Sequence, residues 1–270
     1  MTIFVSVISH DHYQDITQLL KPHTFHNGDD IVVVMKDNQH CPKLRTYCRK
    51  HSIDCLTNSE PKGFGENNND IYLYCRLKHN MKDDDLFVVL NPDVIVEKDV
   101  FLQLNQIMKE KQVRLAAPNL FRDEQMKILE GSIRRYPMPW DFVSSFILNS
   151  QRTTIKRHHI TEPSTVDWAS GAFLAFRACL YKELAGFDPR YYLYCEDIDI
   201  CWRARVCFNE PTYYIPHIKA IHRGHRHSHS VVSSYIRWHI TSAMKFSSRF
   251  VAWRLFGLSP KPPKSHTELP

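Results

Sequence analysis

Three carboxylates fall within four residues at Glu196-Asp197-Ile198-Asp199. Tyr192, Leu193, Tyr194, Cys195, Ile200, Cys201 and Trp202 surround them with apolar and aromatic side chains. Burying unpaired carboxylates is costly. Arg203, Arg205, a metal ion or a reacting hydroxyl must therefore compensate this cluster. A carboxylate whose pKa is raised in such a pocket can act as a general base. The segment reads as an active-site element.

Other candidates are spread along the chain. Asp37-Asn38 follows a β-branched run and is either a strand-terminating turn or a contact to the base or ribose of a nucleotide. Gly63-Phe64-Gly65-Glu66-Asn67-Asn68-Asn69 holds two of the eight glycines, suited to close backbone approach or positive φ, with asparagines that can also cap a helix. It is not a phosphate-binding P-loop, because no Gly-Lys-Ser/Thr follows. Asn91-Pro92-Asp93 ends another apolar run, and Mg²⁺ or Mn²⁺ often bridges such a carboxylate to substrate phosphates; Pro-Asp is also a common turn. Trp168, near Gly171, is either a flat wall for a sugar ring or a core residue. Of His222, His225, His227 and His229, one or two could complete an oxygen-rich metal site.

The elements that must hold these residues follow an alternating rhythm. Strands are expected at Ile3–Ser9, Ile31–Met35, Leu86–Leu90 and Arg114–Ala117, and helices at Tyr13–Leu20, Lys43–Lys50, Asn68–His79 and Val100–Lys111. Asn58–Gly65 reads as loop, and Phe121–Ile160 as a long loop or helical hairpin. This pattern argues for an α/β fold with a mostly parallel sheet flanked by helices. Ligands of such sheets bind beyond the carboxyl ends of the strands, where Asp37 and Asn91-Pro92-Asp93 are expected.

Composition narrows the class. The 270 residues, 43% hydrophobic and 24% charged, suit a globular chain with a sizeable core. No apolar run approaches the ~20 residues of a membrane span, and Met1–Ile8 reads as a buried strand, not a signal peptide. The eight cysteines include no CxxC pair, so they read as free thiols of a reducing compartment, not disulfides or a zinc site. Between Pro211 and Thr267 there are nine Lys/Arg and no Asp/Glu, which accounts for the whole net charge of +6. Such a tail suits an anionic partner. Ser234–Gly257 carries apolar residues at helical spacing among these cations. It is either an interfacial membrane helix or a helix covering the sheet. Residues 259–270 read as a disordered tail.

Taken in order, these motifs, with Gly186-Phe187-Asp188, resemble the family 2 glycosyltransferases. The resemblance runs from Ile3 to about His229 and is densest over Val166–Arg203. The Gly63–Asn69 and Leu90–Asp93 segments are similar to the rhamnosyltransferases of bacterial O-antigen and lipopolysaccharide biosynthesis. The resemblance implies a GT-A (nucleotide-diphospho-sugar transferase) fold over residues 1–230, to which the spacing of the tail adds a basic helical extension at 231–258. It implies Asp197 as general base, and Ser9, Asp37, Asn38, Gly63, Gly65, Asn68, Asn69 and Asn91 around the donor. Asp93 and His222 would hold Mg²⁺ or Mn²⁺. Trp168, Gly171 and Glu196 would lie near the acceptor, with Asp199–Arg203 as a supporting ion pair.

Two departures stand out: the family's DxD-type motif has a single carboxylate here, and Asn209 stands where glycine is usual. The implied reaction is single displacement with inversion. The donor would be dTDP-L-rhamnose or another nucleotide sugar such as a UDP-sugar, with tail arginines assisting the departing diphosphate. The acceptor would be a polyprenyl-diphosphate-linked saccharide, met at an anionic membrane surface on the cytoplasmic face of the bacterial inner membrane. Nucleic acid is not an expected partner. A nucleotidyltransferase lacks its N-terminal phosphate loop here, and a non-catalytic binding module leaves the acidic cluster unexplained.

Overall fold

The computed structural model of the chain describes residues 1–148, 152–224 and 232–263. Its strands are β1 (Ile3–Ser9), β2 (Ile31–Asp37), β3 (Asp54–Thr57), β4 (Leu86–Leu90), β5 (Val94–Ile95), β6 (Leu115–Phe121), β7 (Ile133–Arg134), β8 (Ser164–Val166), β9 (Trp168–Ala169), β10 (Phe173–Arg177) and β11 (Thr212–His222). The helices are α1 (Tyr13–Asp15), α2 (Pro42–Lys50), α3 (Phe64–Lys78), α4 (Lys98–Glu110), α5 (Pro139–Leu148), α6 (Ala178–Glu183), α7 (Glu196–Phe208) and α8 (Val232–Phe256).

The main sheet runs β3-β2-β1-β4-β10-β6-β11-β5, with β8 against β11. Six of its strands share one direction, and β10, β5 and β8 oppose them. β1, β2 and β4 are buried along their whole length. Their near-continuous Val/Ile/Leu runs reflect cover on both faces. One side of the sheet packs on α3, α6 and α7, and the other on α2 and α4. β7 and β9 form a separate two-stranded ribbon against α7.

Several expectations shift by a few residues. β2 extends through Asp37, so this carboxylate ends the strand and does not lie in the turn beyond it. Gly65 belongs to α3, not to the preceding loop. Tyr13–Leu20 is helical, but α1 passes at Ile16 into a wider π-turn. The stretch after Phe121 contains α5 and β7. Asn209 takes the left-handed conformation at the end of α7 (φ 56°). Glycine is favoured at such a helix end, and asparagine tolerates it, so this departure from the family preserves the cap.

α8 packs on the core through Phe246 and Phe250, both against Trp202. Its opposite face leaves Ile240, Met244 and Leu255 exposed. No described helix is long and apolar enough to cross a membrane. All eight cysteines are free thiols.

Candidate active site

The sheet register brings the sequence candidates to one edge. Ser9 pairs with Asp37 at the ends of β1 and β2. The Asn91 backbone N–H donates to the Ala172 carbonyl (2.9 Å), joining the end of β4 to the start of β10. His222, at the end of β11, pairs with Val94 just beyond Asp93. The Gly171 N–H donates to Asp197 Oδ2 (3.1 Å), so the start of α7 meets the same edge.

Asp197 lies in the first turn of α7 and also accepts the Ile198 N–H (2.9 Å). Burial pushes its carboxyl up from the ordinary range, against the pull of these two N–H donors and the Arg134 charge. Burial, with the neighbouring Asp197 charge, pushes Glu196 well up. Glu196 Oε2 is buried without a hydrogen-bond partner. Each carboxyl raises the cost of ionising the other, as expected for adjacent acids in low dielectric.

Asp199 is fully buried and bonded to Arg203 (2.6 Å), whose other nitrogens donate to the Leu184 and Gly186 carbonyls. Asp199 and Asp188 also receive Arg249 from α8. Arg205 turns instead to Asp167. The tail arginine Arg249 is therefore committed to buried carboxylates and is not free for a departing diphosphate.

The loop before α7 is strained. Tyr194 and Cys195 have φ of 70° and 64°, a left-handed conformation that costs non-glycine residues about 1–2 kcal/mol each. α8 braces this loop. Ser242 donates to the Leu193 carbonyl (2.9 Å), Trp238 stacks on Tyr192 (4.5 Å), and His239 packs edge-on to Tyr194 (4.8 Å).

The glycines act through close approach. A Cβ at Gly63 would lie 2.6 Å from the Tyr192 carbonyl oxygen, and one at Gly65 would lie 2.6 Å from Phe187 Cβ. Neither has positive φ, so that part of the expectation does not hold. Gly186 does (φ 68°), and a Cβ there would lie 2.2 Å from Asn69 Oδ1. Gly186→Ala is expected to lose about 2–4 kcal/mol through left-handed strain and overpacking, read as a lower urea midpoint.

The asparagines turn inward. Asn68 accepts from Ser6 Oγ (2.7 Å) and donates to the Phe64 carbonyl. Asn69 donates to the Phe187 carbonyl and accepts from Tyr181 Oη and the Phe187 N–H. Asn38 accepts from Asn58 Nδ2 and the Lys62 N–H, and donates to the Lys62 carbonyl. All three are buried, and these bonds make them posts that hold the Lys62–Asn69 segment. Asp37 differs: its Oδ2 is buried with no hydrogen-bond partner, and Arg45 stands 3.9 Å away. That oxygen is a buried acceptor whose hydrogen-bonding capacity the chain itself leaves unused.

Asp93 Oδ1 lies 3.3 Å from His222 Nε2, and Asn91 Nδ2 lies 3.4 Å from the same nitrogen. Burial lowers the His222 pKa, but the bond and charge of Asp93 outweigh it and hold the imidazole above its usual value. No described group of three His, Cys, Asp or Glu could hold a metal alone. A carboxylate and an imidazole side by side still suit a divalent ion completed by substrate phosphates. His225, His227 and His229 lie outside the described residues.

Trp168 is not an open sugar wall. It is buried, its indole N–H donates to the Arg135 carbonyl (2.9 Å), and the Arg134 guanidinium covers its ring at 5.7 Å from the centroid. Arg134 was not a candidate from the sequence. It is placed by tertiary contacts, pairing with Trp168 of β9 and bridging Thr154 across the chain.

The sequence profile described as glycosyltransferase like family 2 matches residues 16–241. Rhamnosyltransferase WbbL of Escherichia coli (strain K12) is 32% identical, over 92% of this chain and 93% of that protein. N-acetylglucosaminyl-diphospho-decaprenol L-rhamnosyltransferase of Mycobacterium tuberculosis is 29% identical, over 37% of this chain and 34% of its own length. Among solved structures, the mannosyltransferase PcManGT from Pyrobaculum calidifontis, in complex with GDP-Man and Mn²⁺, superposes with a TM-score of 0.58 at 13% identity. That match covers 96% of this chain and 66% of the other, and it shows the shared GT-A fold.

Proposed function

Because the chain belongs to the family 2 glycosyltransferases, we propose that it transfers L-rhamnose from dTDP-L-rhamnose to a hydroxyl of a polyprenyl-diphosphate-linked saccharide, with inversion. The observation that carries this reading is the Gly171–Asp197 contact at the strand-end edge. It fixes a carboxylate of raised pKa beside the elements expected to hold the donor.

In this reading Asp197 takes the acceptor's proton as the hydroxyl attacks the anomeric carbon. Its lone pair forms the new glycosidic bond while the bond to the diphosphate breaks on the opposite face. Asp37 Oδ2 receives a hydrogen bond from the nucleotide. Asp93 and His222 would hold a divalent ion, which supplies positive charge for the leaving diphosphate. Glu196 supports this role from beside the base: burial and the neighbouring Asp197 charge push its carboxyl well up, so it is harder to ionise than an ordinary carboxyl.

A membrane station supports the lipid acceptor. Nine of the large apolar side chains that stay exposed lie on α5, α8 and the turn after α8, among them Trp140, Val143, Met244 and Phe256. Arg237 and Arg254 flank them, in a segment without acids. Exposed apolar and basic residues together favour an anionic interface, consistent with peripheral attachment to the cytoplasmic face of the inner membrane in O-antigen synthesis.

A panel of nucleotide sugars tests the donor by thermal shift with Mg²⁺, Mn²⁺ or EDTA. dTDP-rhamnose is expected to raise Tm most, and Asp93→Ala to remove the metal-dependent part of the shift. A larger shift with a UDP-sugar would replace the donor, and no shift with any nucleotide would contradict the enzyme reading.

A further inference from the structure

We propose that α8 couples an anionic bilayer surface to the catalytic loop, so that lipid held by its outer face fixes the chain before α7 and raises the turnover of bound substrates. The inference rests on the transfer and membrane readings above and adds regulation to the same site.

The two faces of α8 have different partners. Ile236, Ile240 and Met244 are exposed at four-residue intervals, with Arg237 exposed beside them. Residues four apart share one side of a helix, so this stripe exists only while the segment is helical. Lys245 and Arg249 turn the other way. Lys245 donates to the Arg190 carbonyl and lies over the Tyr191 ring, and Arg249 reaches Asp188 and Asp199. Trp238, His239 and Ser242 share that inner side and meet Tyr192, Tyr194 and Leu193 in turn. Phe246 and Phe250 anchor the helix on Trp202. Phe246 also meets Phe142 of α5, the helix that leaves Trp140 and Val143 exposed.

The braced loop leads straight into the base. Cys195 caps α7, and its carbonyl accepts the Asp199 N–H (2.9 Å), with Asp197 in the turn so closed. Tyr194 and Cys195 are left-handed, a conformation that non-glycine residues keep only where their surroundings impose it. On the far side the Tyr192 carbonyl accepts the Phe64 N–H (3.0 Å), so the loop is clamped between α3 and α8. Relaxation of either left-handed residue would re-aim the first turn of α7 and part Asp197 from the Gly171 N–H.

A ligand shifts such an equilibrium only by binding one form better. A bilayer does so here, because it takes up the Ile236–Met244 stripe of the formed helix. Apolar side chains flanked by cations, in a stretch from Pro211 to Thr267 without Asp or Glu, fit an anionic lipid surface.

The test uses the full chain with dTDP-rhamnose and a saccharide linked to a short prenyl diphosphate, with and without vesicles of phosphatidylglycerol and phosphatidylcholine. Vesicles are expected to raise kcat about 5- to 10-fold, in the lower range of coupling between two sites. Recruitment of the acceptor alone would lower its apparent KM and leave kcat unchanged, and that result would overturn the proposal. Met244→Asp should lose both vesicle binding and the rise. Trp238→Ala should still bind vesicles but lose the rise, and Trp238→Phe should regain part of it. A full rise in Trp238→Ala would overturn the coupling. So would a kcat that climbs with protein concentration in the absence of vesicles, which would give the outer face to a second copy of the chain.

Hydrogen exchange needs no substrate and separates this inference from the transfer reading. Amides of residues 192–199 should exchange about fivefold more slowly on vesicles in the wild type, and at an unchanged rate in Trp238→Ala. That pattern in a protein that transfers no rhamnose would sustain the coupling and sink the reaction. Rhamnosyl transfer with no effect of vesicles on kcat or on exchange would do the reverse.

Discussion

Asp197→Asn is expected to cut transfer by about 10²–10⁴-fold while leaving the folded protein and its nucleotide binding intact. The amide keeps the size of the carboxylate and can accept the Gly171 N–H through its oxygen, so the start of α7 is retained. It cannot take a proton, and loss of a positioned general base costs about 10²–10⁴ in rate. The pH profile carries the same signature. Burial raises the Asp197 pKa, and the working form is the ionised one. Activity should therefore fall as pH drops through a value above the ordinary carboxylate range, which stopped-time assays of kcat/KM would detect. A rate in Asp197→Asn within threefold of wild type would remove Asp197 from the chemistry.

Arg203→Met has the largest expected effect on stability. The Asp199–Arg203 pair is fully buried on both sides, and truncating Arg203 removes one of the two cations that face the Asp199 carboxylate, Arg249 being the other. Such losses run to about 3–5 kcal/mol. Two carbonyls, of Leu184 and Gly186, also lose their donors. Against a typical total stability of about 5–15 kcal/mol, the variant should unfold at a much lower urea concentration. Arg205→Met serves as the control. Its partner Asp167 is partly exposed, and exposed pairs contribute about 0–1 kcal/mol. If the two variants unfold at the same midpoint, the buried network does not carry the stability assigned to it.

The two results separate roles within one acidic stretch. Asp199 is neutralised by Arg203 and Arg249, whereas among the described residues Asp197 accepts two N–H donors and forms no ion pair. Four residues of sequence thus hold both a structural ion pair and the candidate base, and only the partners distinguish them.

Much of the frame is legible in the chain because burial on both faces writes continuous apolar runs. β1 and β4 fall at the expected bounds for that reason. The shorter elements are not legible. β7 and β9 are two residues each, and their pairing depends on tertiary contact with α7. Arg134 stayed hidden for the same cause, since nothing near it in sequence marks it as the partner of Trp168. Asn68 and Asn69 were visible as an unusual run, but their partners, Ser6, Tyr181 and Phe187, lie far along the chain. α8 was readable as amphipathic, and its spacing served two faces at once. Phe246 and Phe250 face the core while Met244 and Leu255 face outward, so both readings of the tail describe part of the same helix.

The most direct test of the central claim is the anomeric configuration of the product. Wild-type protein and Asp197→Asn would be incubated with dTDP-β-L-rhamnose and a saccharide linked to a short prenyl diphosphate, and the product examined by NMR. An α-L-rhamnosyl product formed by the wild type and far scarcer with Asp197→Asn is the predicted result. A β-linked product, or equal yield from the two proteins, would contradict inverting transfer with Asp197 as base.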